Sequence, residues 1–251
     1  MEHPLARSDK LYWHRYLSFY EQELAGLKCG SVLEFGIWQG ASIRWLLSRY
    51  PGAKVYGADI LPVQQGWPQG ENVRYLRVDQ AERDQIRACF AAISTKLDLV
   101  IDDGSHVPEH QCNCLVESIP HIRKGGIYIL EDIHTSHPSH PYYRKSKRLF
   151  RPLVGPLQTL LALNHLKRTC QNALGVEDKL DALTRGSLFD RAEVALLFDR
   201  INSVSIYRRA DLPDHCWSCG SADFDYGSLR CECGQQLYAE ADSMTALIRI
   251  R

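Results

Sequence analysis

Short apolar segments alternate with amphipathic segments along the first half of this 251-residue chain. Between the apolar runs, hydrophobic residues recur at helical spacing, as at Ile43, Leu46 and Leu47. The runs themselves predict buried strands at 31–35, 54–58, 73–78, 97–101 and 127–130. Strands that alternate with helices in this way predict βαβ units and a parallel sheet, whose ligands bind beyond the carboxyl ends of the strands.

The two ends of the chain are patterned differently. Residues 8–27 predict a helix with an aromatic face, which either packs on the main domain or covers a ligand as a lid. A second helix is expected at 157–166. Two apolar runs at 193–198 and 203–208 leave no room for a helix between them, so they predict an antiparallel hairpin that finishes the sheet.

This organisation predicts three parts. Residues 1–30 form an N-terminal helical cap, and residues 31–208 form the cofactor-binding α/β domain. Residues 209–251 form an irregular, cysteine-bearing extension, which ends in a strand at 245–251 that returns to the edge of the sheet.

The first predicted strand runs into a glycine loop, Glu34-x-Gly36-x-x-x-Gly40, and a helix begins near Ser42. Glycines let the backbone turn tightly and approach a ligand, and the helix N-terminus supplies free N–H groups. The loop therefore indicates a nucleotide-type cofactor. An ordinary strand-to-helix turn is the alternative.

Polar residues at the next two strand ends support the cofactor interpretation. Asp59 ends the second strand, where its carboxylate can accept both hydroxyls of a ribose. Asp79 and Gln80 end the third strand, in a position to meet an adenine. Solvated acidic residues would give the same pattern, but the three placements together favour a cofactor.

Acidic residues also follow the fourth and fifth strands, which run into Asp102-Asp103-Gly104-Ser105-His106 and into Glu131-Asp132. Mg²⁺ prefers a few hard carboxylate ligands together with water or substrate oxygens. We therefore expect Asp103, Glu131 and Asp132 to bind a Mg²⁺ that chelates neighbouring substrate hydroxyls. His106 would then remove the proton as general base. The alternative is that these acids are capping and turn residues.

Two further polar groups lie beyond the fifth strand. His134, His137 and His140 recur every third residue, but the prolines between them favour a substrate-facing loop over a histidine-bound metal. A basic run either meets an anionic substrate or is a solvated surface, and it comprises Arg144, Lys145, Lys147, Arg148 and Arg151.

Four late cysteines occur as two close pairs, each followed by glycine, in the pattern CxxCG…CxCG. They are Cys216, Cys219, Cys231 and Cys233. Four thiolates suit tetrahedral Zn²⁺, and a site made entirely of protein ligands would be structural. The second pair has one spacer residue where a common zinc ribbon has two, so free or redox-active thiols remain the alternative.

Composition narrows the expected partners and location. Lys and Arg number 30, as do Asp and Glu, which argues against a protein that coats nucleic acid. No signal peptide is evident, and no apolar run approaches the roughly 20 residues of a membrane helix. Since the nine cysteines are odd in number and five are scattered, we expect a reduced, cytoplasmic protein that binds no membrane. The oligomeric state stays open, with a homo-oligomer as one possibility.

These segments resemble the class I S-adenosylmethionine (SAM) dependent methyltransferases. Within them, the chain is similar to the metal-dependent sugar O-methyltransferases of macrolide tailoring and to the cephalosporin hydroxylase-like family. The resemblance covers residues 8–208 and begins at Ser8-Asp9-Lys10 with His14 and Tyr16. Its most specific segments are DDGSH at 102–106 and EDIHTS at 131–136.

The resemblance implies a Rossmann-like, mostly parallel seven-stranded sheet with a terminal antiparallel hairpin. The small C-terminal cysteine hairpin is not part of the family's pattern and is expected as an addition to this fold. It also implies a Mg²⁺ site at Asp103, Glu131 and Asp132, with His106 as base. The residues that match its cofactor region are Glu34, Gly36, Ser42, Asp59, Asp79 and Asp102.

The sequence therefore predicts a SAM- and Mg²⁺-dependent O-methyltransferase. Its expected acceptor is a sugar hydroxyl of a glycosylated natural product or glycan, bound as a small molecule. A catechol-type methyltransferase, which also chelates adjacent hydroxyls, is one alternative. A non-catalytic accessory module that binds SAM or zinc is another.

Overall fold

The computed structural model describes residues 5, 8–146, 154–169 and 174–251. The described strands are β1 (Ser31–Phe35), β2 (Lys54–Asp59), β3 (Val73–Arg77), β4 (Leu97–Asp102), β5 (Ile122–Leu130), β6 (Ile201–Arg208), β7 (Phe224–Asp225), β8 (Arg230–Cys231) and β9 (Met244–Ile250). The described α-helices are α1 (Asp9–Tyr12), α2 (Tyr16–Glu23), α3 (Ala41–Arg49), α4 (Arg83–Ala91), α5 (Pro108–Ser118), α6 (Pro141–Ser146), α7 (Pro156–Thr169), α8 (Leu174–Leu183) and α9 (Arg191–Arg200).

Within these residues, seven strands form one mixed sheet in the order β3-β2-β1-β4-β5-β9-β6. The pairs from β3 to β5 are parallel, and β9 is antiparallel to both of its neighbours. This confirms the predicted α/β class with an antiparallel end. The basic run is not part of this description, because Lys147, Arg148, Arg151 and the side chains of Arg144 and Lys145 lie outside the described residues.

The antiparallel end is built differently from the predicted hairpin. Residues 193–198 belong to helix α9, so the predicted strand there is wrong. Asp190 Oδ1 accepts a hydrogen bond from the Glu193 amide, and Glu193 Oε2 accepts one from the Asp190 amide. This capping box starts the helix, and Val194 and Leu197 fall three residues apart on its buried side.

The strand predicted at the chain's last residues is confirmed as β9, but it lies inside the sheet. It pairs with β5 on one side, where Tyr128 opposes Ile248, and with β6 on the other, where Arg208 opposes Met244. The β6–β9 pair is therefore a hairpin whose long loop carries the cysteines.

Both faces of the sheet are covered, as its continuous apolar strands require. One core joins the sheet to α4, α5, α7 and α9 and includes Ile86, Leu115 and Leu160. The other joins it to α2 and α3 and includes Tyr20 and Leu46. Among the described residues, no helix has the length and apolar content needed to cross a bilayer.

The predicted helix at 8–27 is divided into α1 and α2. Arg15 stands between them in the left-handed region, with φ of 57°. This residue breaks the helical repeat and turns α1 across the carboxyl edge of the sheet. Leu11 of α1 still packs against the core that contains Tyr16 and Tyr20 of α2.

The loop between β6 and β9, residues 209–243, is called here the cysteine module. Its short hairpin β7–β8 pairs Phe224 with Cys231. A small core within it buries Cys216, Cys231 and Leu237 against Trp13 of the N-terminal segment. The module therefore packs against the residues next to α1, in addition to connecting β6 with β9 of the main sheet.

Candidate functional site

Three neighbouring strand ends place the predicted site residues side by side. The Asp103 amide donates to the Phe35 carbonyl at 2.9 Å, and the Glu131 amide donates to the Asp102 carbonyl at 2.9 Å. These bonds carry the ladder one residue past the ends of β1, β4 and β5. The glycine loop and both acidic segments consequently lie at one edge, as the sequence predicts.

Gly36 allows the closest of these approaches. It has a φ of 82°, and a Cβ at this position would lie 2.0 Å from the Asp103 carbonyl oxygen. Only glycine fits both the left-handed backbone and this contact. The loop is therefore fitted to the end of β4 rather than being a free turn.

A cavity of about 670 Å³ opens at this edge. Part of its wall comes from the glycine loop and α3, part from the acidic strand ends, and part from the N-terminal segment. Its lining residues are Ser8, Asp9, Lys10, Tyr12, His14, Ile37, Trp38, Gln39, Ala41, Ser42, Arg44, Asp103, Gly104, His106, Glu131 and Asp132.

Lys10 of α1 reaches into the carboxylate cluster. Its Nζ lies 2.7 Å from Glu131 Oε1, 2.8 Å from Asp103 Oδ2 and 3.2 Å from Glu34 Oε1. Lys10 is 5% exposed, so this ammonium and its partners are withdrawn from water. The positive charge of Lys10 thus compensates Glu34 together with two of the predicted Mg²⁺ ligands, Asp103 and Glu131.

Burial and mutual repulsion raise the pKa of the acids in this cluster. The pKa of Glu34 is raised to about 7, chiefly by burial, against the effect of Lys10. Burial and then Asp103 raise the pKa of Glu131, and burial raises that of Asp103. Burial opposes the charge on Lys10, but the surrounding carboxylates overcome it and raise the Lys10 pKa well above its usual value.

Asp132 lies in a shell of histidines. The Tyr16 hydroxyl donates to its Oδ1 at 2.8 Å, while His14 Nε2 and His134 Nδ1 both lie 3.8 Å from that oxygen. Burial would raise its pKa, but His14, His106 and His134 outweigh this effect and hold it below its usual range. Asp132 therefore stays ionised.

His106 lies between Asp103 and Asp132, two of the acids that line the cavity. Its Nε2 is 3.8 Å from Asp103 Oδ1 and 3.7 Å from Asp132 Oδ2. His106 and Asp132 both have left-handed backbones, with φ of 56° and 50°. Non-glycine residues rarely adopt this conformation, and it recurs where a side chain must be aimed at a site. Burial opposes protonation of His106, but Asp132 and Asp103 prevail and raise its pKa.

The predicted Mg²⁺ ligands fall into two environments. Asp103 and Asp132 are 24% and 17% exposed in their side chains, and both face the cavity. Two hard carboxylates with room for water fit the usual Mg²⁺ donor set. Glu131 also lines the cavity but is only 1% exposed. Its Oε1 is paired with Lys10, as is Asp103 Oδ2, so the Lys10 ammonium would lie next to any metal that these two acids bind.

Two of the predicted cofactor acids are fixed by the sheet itself, since Glu34 lies in β1 and Asp59 ends β2. Glu34 is buried and does not itself line the cavity. A hydrogen bond with Ser42, which does line the cavity, lowers the pKa of the Glu34 carboxyl in part. Asp59 accepts from the Ile37 amide at 2.7 Å and from the Leu61 amide at 2.9 Å, which ties the glycine loop to the end of β2.

Three other predicted cofactor residues bond mainly within the protein. Asp79 accepts from the Ala81 amide at 2.9 Å. Gln80 donates to Asp102 at 2.7 Å and accepts from the Ser105 amide at 2.7 Å, so its side chain supports the DDGSH loop. Asp102 is buried, with a pKa raised by burial to about 6, and it does not line the cavity.

The three histidines of the series at 134, 137 and 140 have different surroundings in the structure. His134 faces Asp132 and accepts a hydrogen bond from the Met244 amide at 3.4 Å. Nδ1 of His137 pairs with the Ser139 hydroxyl at 2.7 Å. The ring of His140 packs edge-on against His134. One histidine of the three therefore belongs to the site.

The four late cysteines converge. Their sulfur atoms all lie within 4.8 Å of one another, and they are the only described group of three or more metal-ligating side chains that meets this criterion. Sγ of Cys216 lies 3.7 Å from that of Cys233, and Sγ of Cys219 lies 3.4 Å from that of Cys231. Sulfurs bound to one Zn²⁺ at about 2.3 Å would be spaced by about 3.8 Å, so this cage suits zinc.

Sequence reasoning assigned no role to two residues that the structure brings into the site. Lys10 and His14 stand in a motif-bearing segment, but their carboxylate partners are far along the chain. The available signal was a lysine and a histidine four residues apart, next to an aromatic run. That spacing predicts a shared helix face and says nothing of what the face meets.

Comparison with known proteins places this site in context. Residues 33–133 match the family described as "Methyltransferase domain". Over 165 residues, the chain is 32% identical to the 8-demethyl-8-(2-methoxy-alpha-L-rhamnosyl)-tetracenomycin-C 3'-O-methyltransferase of Streptomyces olivaceus, which covers 61% of this chain and 42% of that protein. It is 34% identical to the mycinamicin VI 2''-O-methyltransferase of Micromonospora griseorubida over 117 residues, or 42% of this chain and 28% of that protein.

A solved structure shares the fold. It is that of the MycE methyltransferase from the mycinamycin biosynthetic pathway, in complex with Mg, SAH and mycinamycin VI. The TM-score is 0.55 at 19% identity, and the match covers 94% of this chain and 49% of that one. The chain thus has a class I methyltransferase fold, and it spans less than half the length of these relatives.

Proposed function

We propose that this chain, which carries a methyltransferase domain of class I fold, is a SAM- and Mg²⁺-dependent O-methyltransferase that acts on a sugar hydroxyl. The observation that carries the proposal is the shared cavity. Residues of the glycine loop and α3 form one wall, and Asp103, His106 and Asp132 form another. A cofactor and an acceptor bound there would meet at the acidic strand ends.

The glycine-loop side suits the cofactor. Ser42 lines the cavity at the start of α3 and shares a hydrogen bond with the buried carboxyl of Glu34 behind it. The left-handed Gly36 and Gly40 turn the loop so that Ile37, Trp38 and Gln39 between them line the cavity. SAM supplies an activated methyl group when bound, so the protein's task is positioning and deprotonation.

The acidic side suits the acceptor. Asp103 and Asp132 would hold Mg²⁺, which when bound lowers the pKa of a chelated hydroxyl and orients it. His106 Nε2, flanked by both carboxylates, accepts the hydroxyl proton. The carboxylates then stabilise the imidazolium that forms. Lys10 offsets the remaining negative charge behind them.

The acceptor class is inferred from the relatives. Their names specify a rhamnosyl tetracenomycin and mycinamicin VI, which are glycosylated small molecules. We infer that this chain also methylates a sugar hydroxyl of a glycosylated natural product or glycan. Because the chain spans only part of those proteins, its own acceptor must be found by experiment.

The test is a methyl-transfer assay with SAM, Mg²⁺ and a panel of rhamnosyl and other deoxysugar glycosides, alongside simple catechols. We expect methylated glycoside that depends on Mg²⁺, and no product from the His106→Ala variant. Methylation of catechols but not of glycosides would show that the acceptor is a catechol and would overturn the sugar assignment. SAM binding without any product across the panel would favour an accessory role, and absence of SAM binding in folded protein would overturn the proposal.

We also propose that Cys216, Cys219, Cys231 and Cys233 bind structural Zn²⁺. The spacing of their sulfurs and the supply of all four ligands by the protein support this assignment. One zinc per chain, measured by elemental analysis of protein purified without added metal, is the expected result. Reactive thiols that titrate freely in native protein would contradict it.

A further inference from the structure

The cysteine module packs against the N-terminal segment. Trp13, which follows α1, is 3% exposed and shares a small core with Cys216, Cys231 and Leu237. The Tyr12 ring stacks on His215 at 3.8 Å between centroids. Two of the four cysteines are thus in the same core as Trp13. The position of that core depends on the shape of the cysteine cage.

Hydrogen bonds and an ion pair reinforce this contact between the module and the N-terminal segment. Arg209 is 3% exposed, donates to the Trp13 carbonyl at 3.0 Å and places its guanidinium over the indole. It also donates to the Leu237 carbonyl at 2.6 Å. The Asp214 amide donates to the Tyr12 carbonyl at 2.9 Å, and its carboxylate pairs with Arg15. The module therefore holds the backbone of the segment on both sides of Trp13.

The other side of this segment is the cavity wall. Asp9, Lys10, Tyr12 and His14 all line the cavity. Lys10 spans to the ends of β1, β4 and β5, and His14 approaches Asp132. Residues 8–16 thus lie between the cysteine cage and the reaction site. We call this stretch the N-terminal wall.

Helical hydrogen bonds alone do not hold the N-terminal wall. α1 has four residues, far below the roughly 12–15 that an isolated helix needs. Arg15, with its left-handed backbone, interrupts the helix between α1 and α2, so the wall depends on tertiary contacts for its shape. The cysteine module has a small apolar core of its own, and a segment of that kind needs a staple such as a bound metal to keep its shape.

We propose that the metal-loaded cysteine module is a clamp that seats the N-terminal wall against the cavity, so that zinc occupancy controls cofactor binding from outside the reaction site. The inference rests on the zinc assignment proposed above. Loss of the metal would release the Trp13 core, loosen residues 8–16 and withdraw Lys10 and His14 from the acids. The cavity would then lack one of its three walls.

Two perturbations test the clamp. In the first, zinc is removed from the purified full chain with a chelator and then restored. In the second, Trp13→Ala breaks the contact while leaving the cysteine cage intact, and Trp13 does not line the cavity. Cys29→Ser is the matched control, because that thiol lies apart from the module and bonds to the Ser31 carbonyl.

The readouts are zinc content, amide hydrogen exchange and SAM affinity by calorimetry. For both perturbations we expect exchange in residues 8–16 to accelerate at least tenfold, with β4 and β5 unchanged. SAM affinity should fall about tenfold or more, and zinc repletion should restore the chelated protein. Trp13→Ala should retain its zinc, and Cys29→Ser should behave as the parent chain.

The outcomes separate the two proposals. Protein that neither contains nor takes up zinc would overturn both the zinc assignment and the clamp. Zinc-containing protein whose residues 8–16 exchange at the same rate after metal removal would overturn the clamp alone. Because hydrogen exchange needs no acceptor, neither result depends on methyl transfer.

Discussion

Lys10 Nζ and Glu131 Oε1 lie 2.7 Å apart, although 121 residues separate them in the chain. Both side chains are almost wholly buried. Breaking a buried pair from one side leaves a charge without compensation, which costs more than the pair itself contributes. This contact therefore joins the N-terminal wall to the reaction site through charge as well as shape.

Replacing Lys10 by Met should destabilise the protein strongly. Glu34, Asp103 and Glu131 would lose their common cation, and the expected loss is roughly 3–5 kcal/mol in the free energy of unfolding. Denaturant titration of Lys10→Met and of the exposed control Lys28→Met measures the difference. An equal effect of the two substitutions on the free energy of unfolding would show that the carboxylate charges of the cluster are compensated without Lys10.

Replacing His106 by Ala should nearly abolish turnover and leave SAM binding intact. Loss of a general base costs about 10²–10⁴-fold in rate, while the glycine loop keeps its contacts. Initial rates and calorimetric SAM affinity of His106→Ala are compared with those of His165→Ala, an exposed histidine on α7. Full activity in the first variant would rule out the base assignment.

Replacing Asp132 by Ala should remove metal-dependent activity. Its carboxylate faces the cavity, and loss even of a group that only hydrogen-bonds to a metal ligand commonly lowers metal affinity by about 10–100-fold. We expect the Mg²⁺ concentration for half-maximal rate to rise by at least that amount. Asp84→Ala, at a side chain that is 95% exposed, is the control. Unchanged turnover and Mg²⁺ affinity in Asp132→Ala would exclude this residue as a ligand.

Replacing Gly36 by Ala should destabilise the loop. The new Cβ would meet the Asp103 carbonyl at 2.0 Å, and the left-handed backbone alone costs about 1–2 kcal/mol. Gly52→Ala is the matched control, since nothing lies within 4 Å of its added Cβ. Thermal unfolding of both variants, with and without SAM, measures the effect. Equal melting temperatures would mean that the loop shifts freely away from β4.

The parallel part of the fold was predictable because strands buried on both faces read as continuous apolar runs. The error at 193–198 has a local cause. A short apolar run does not distinguish a strand from a helix, and the capping pair Asp190 and Glu193 carried the deciding information. Similarly, the position of β9 depends on pairing with β5, which no local pattern reveals.

The candidate site was predictable where strand ends define it. Asp103, His106 and Asp132 gather because β4 and β5 are neighbours and their carboxyl ends coincide. Lys10 could not be assigned in this way, since a lysine pattern normally indicates a solvated surface. Its burial results from three acids brought together by the sheet, which only the tertiary structure shows.

The internal position of β9 also has a consequence for the order of folding. β5 and β6 do not pair with each other, so the sheet remains in two pieces until residues 244–250 enter between them. Closing the 209–243 loop costs chain entropy before the pairing of β6 with β9 can repay it. A cation bound by Cys216 and Cys233, as proposed above, would shorten the open part of that loop and bring Arg208 nearer to Met244. Metal bound in this way would lower the entropic cost of adding β9 to the sheet.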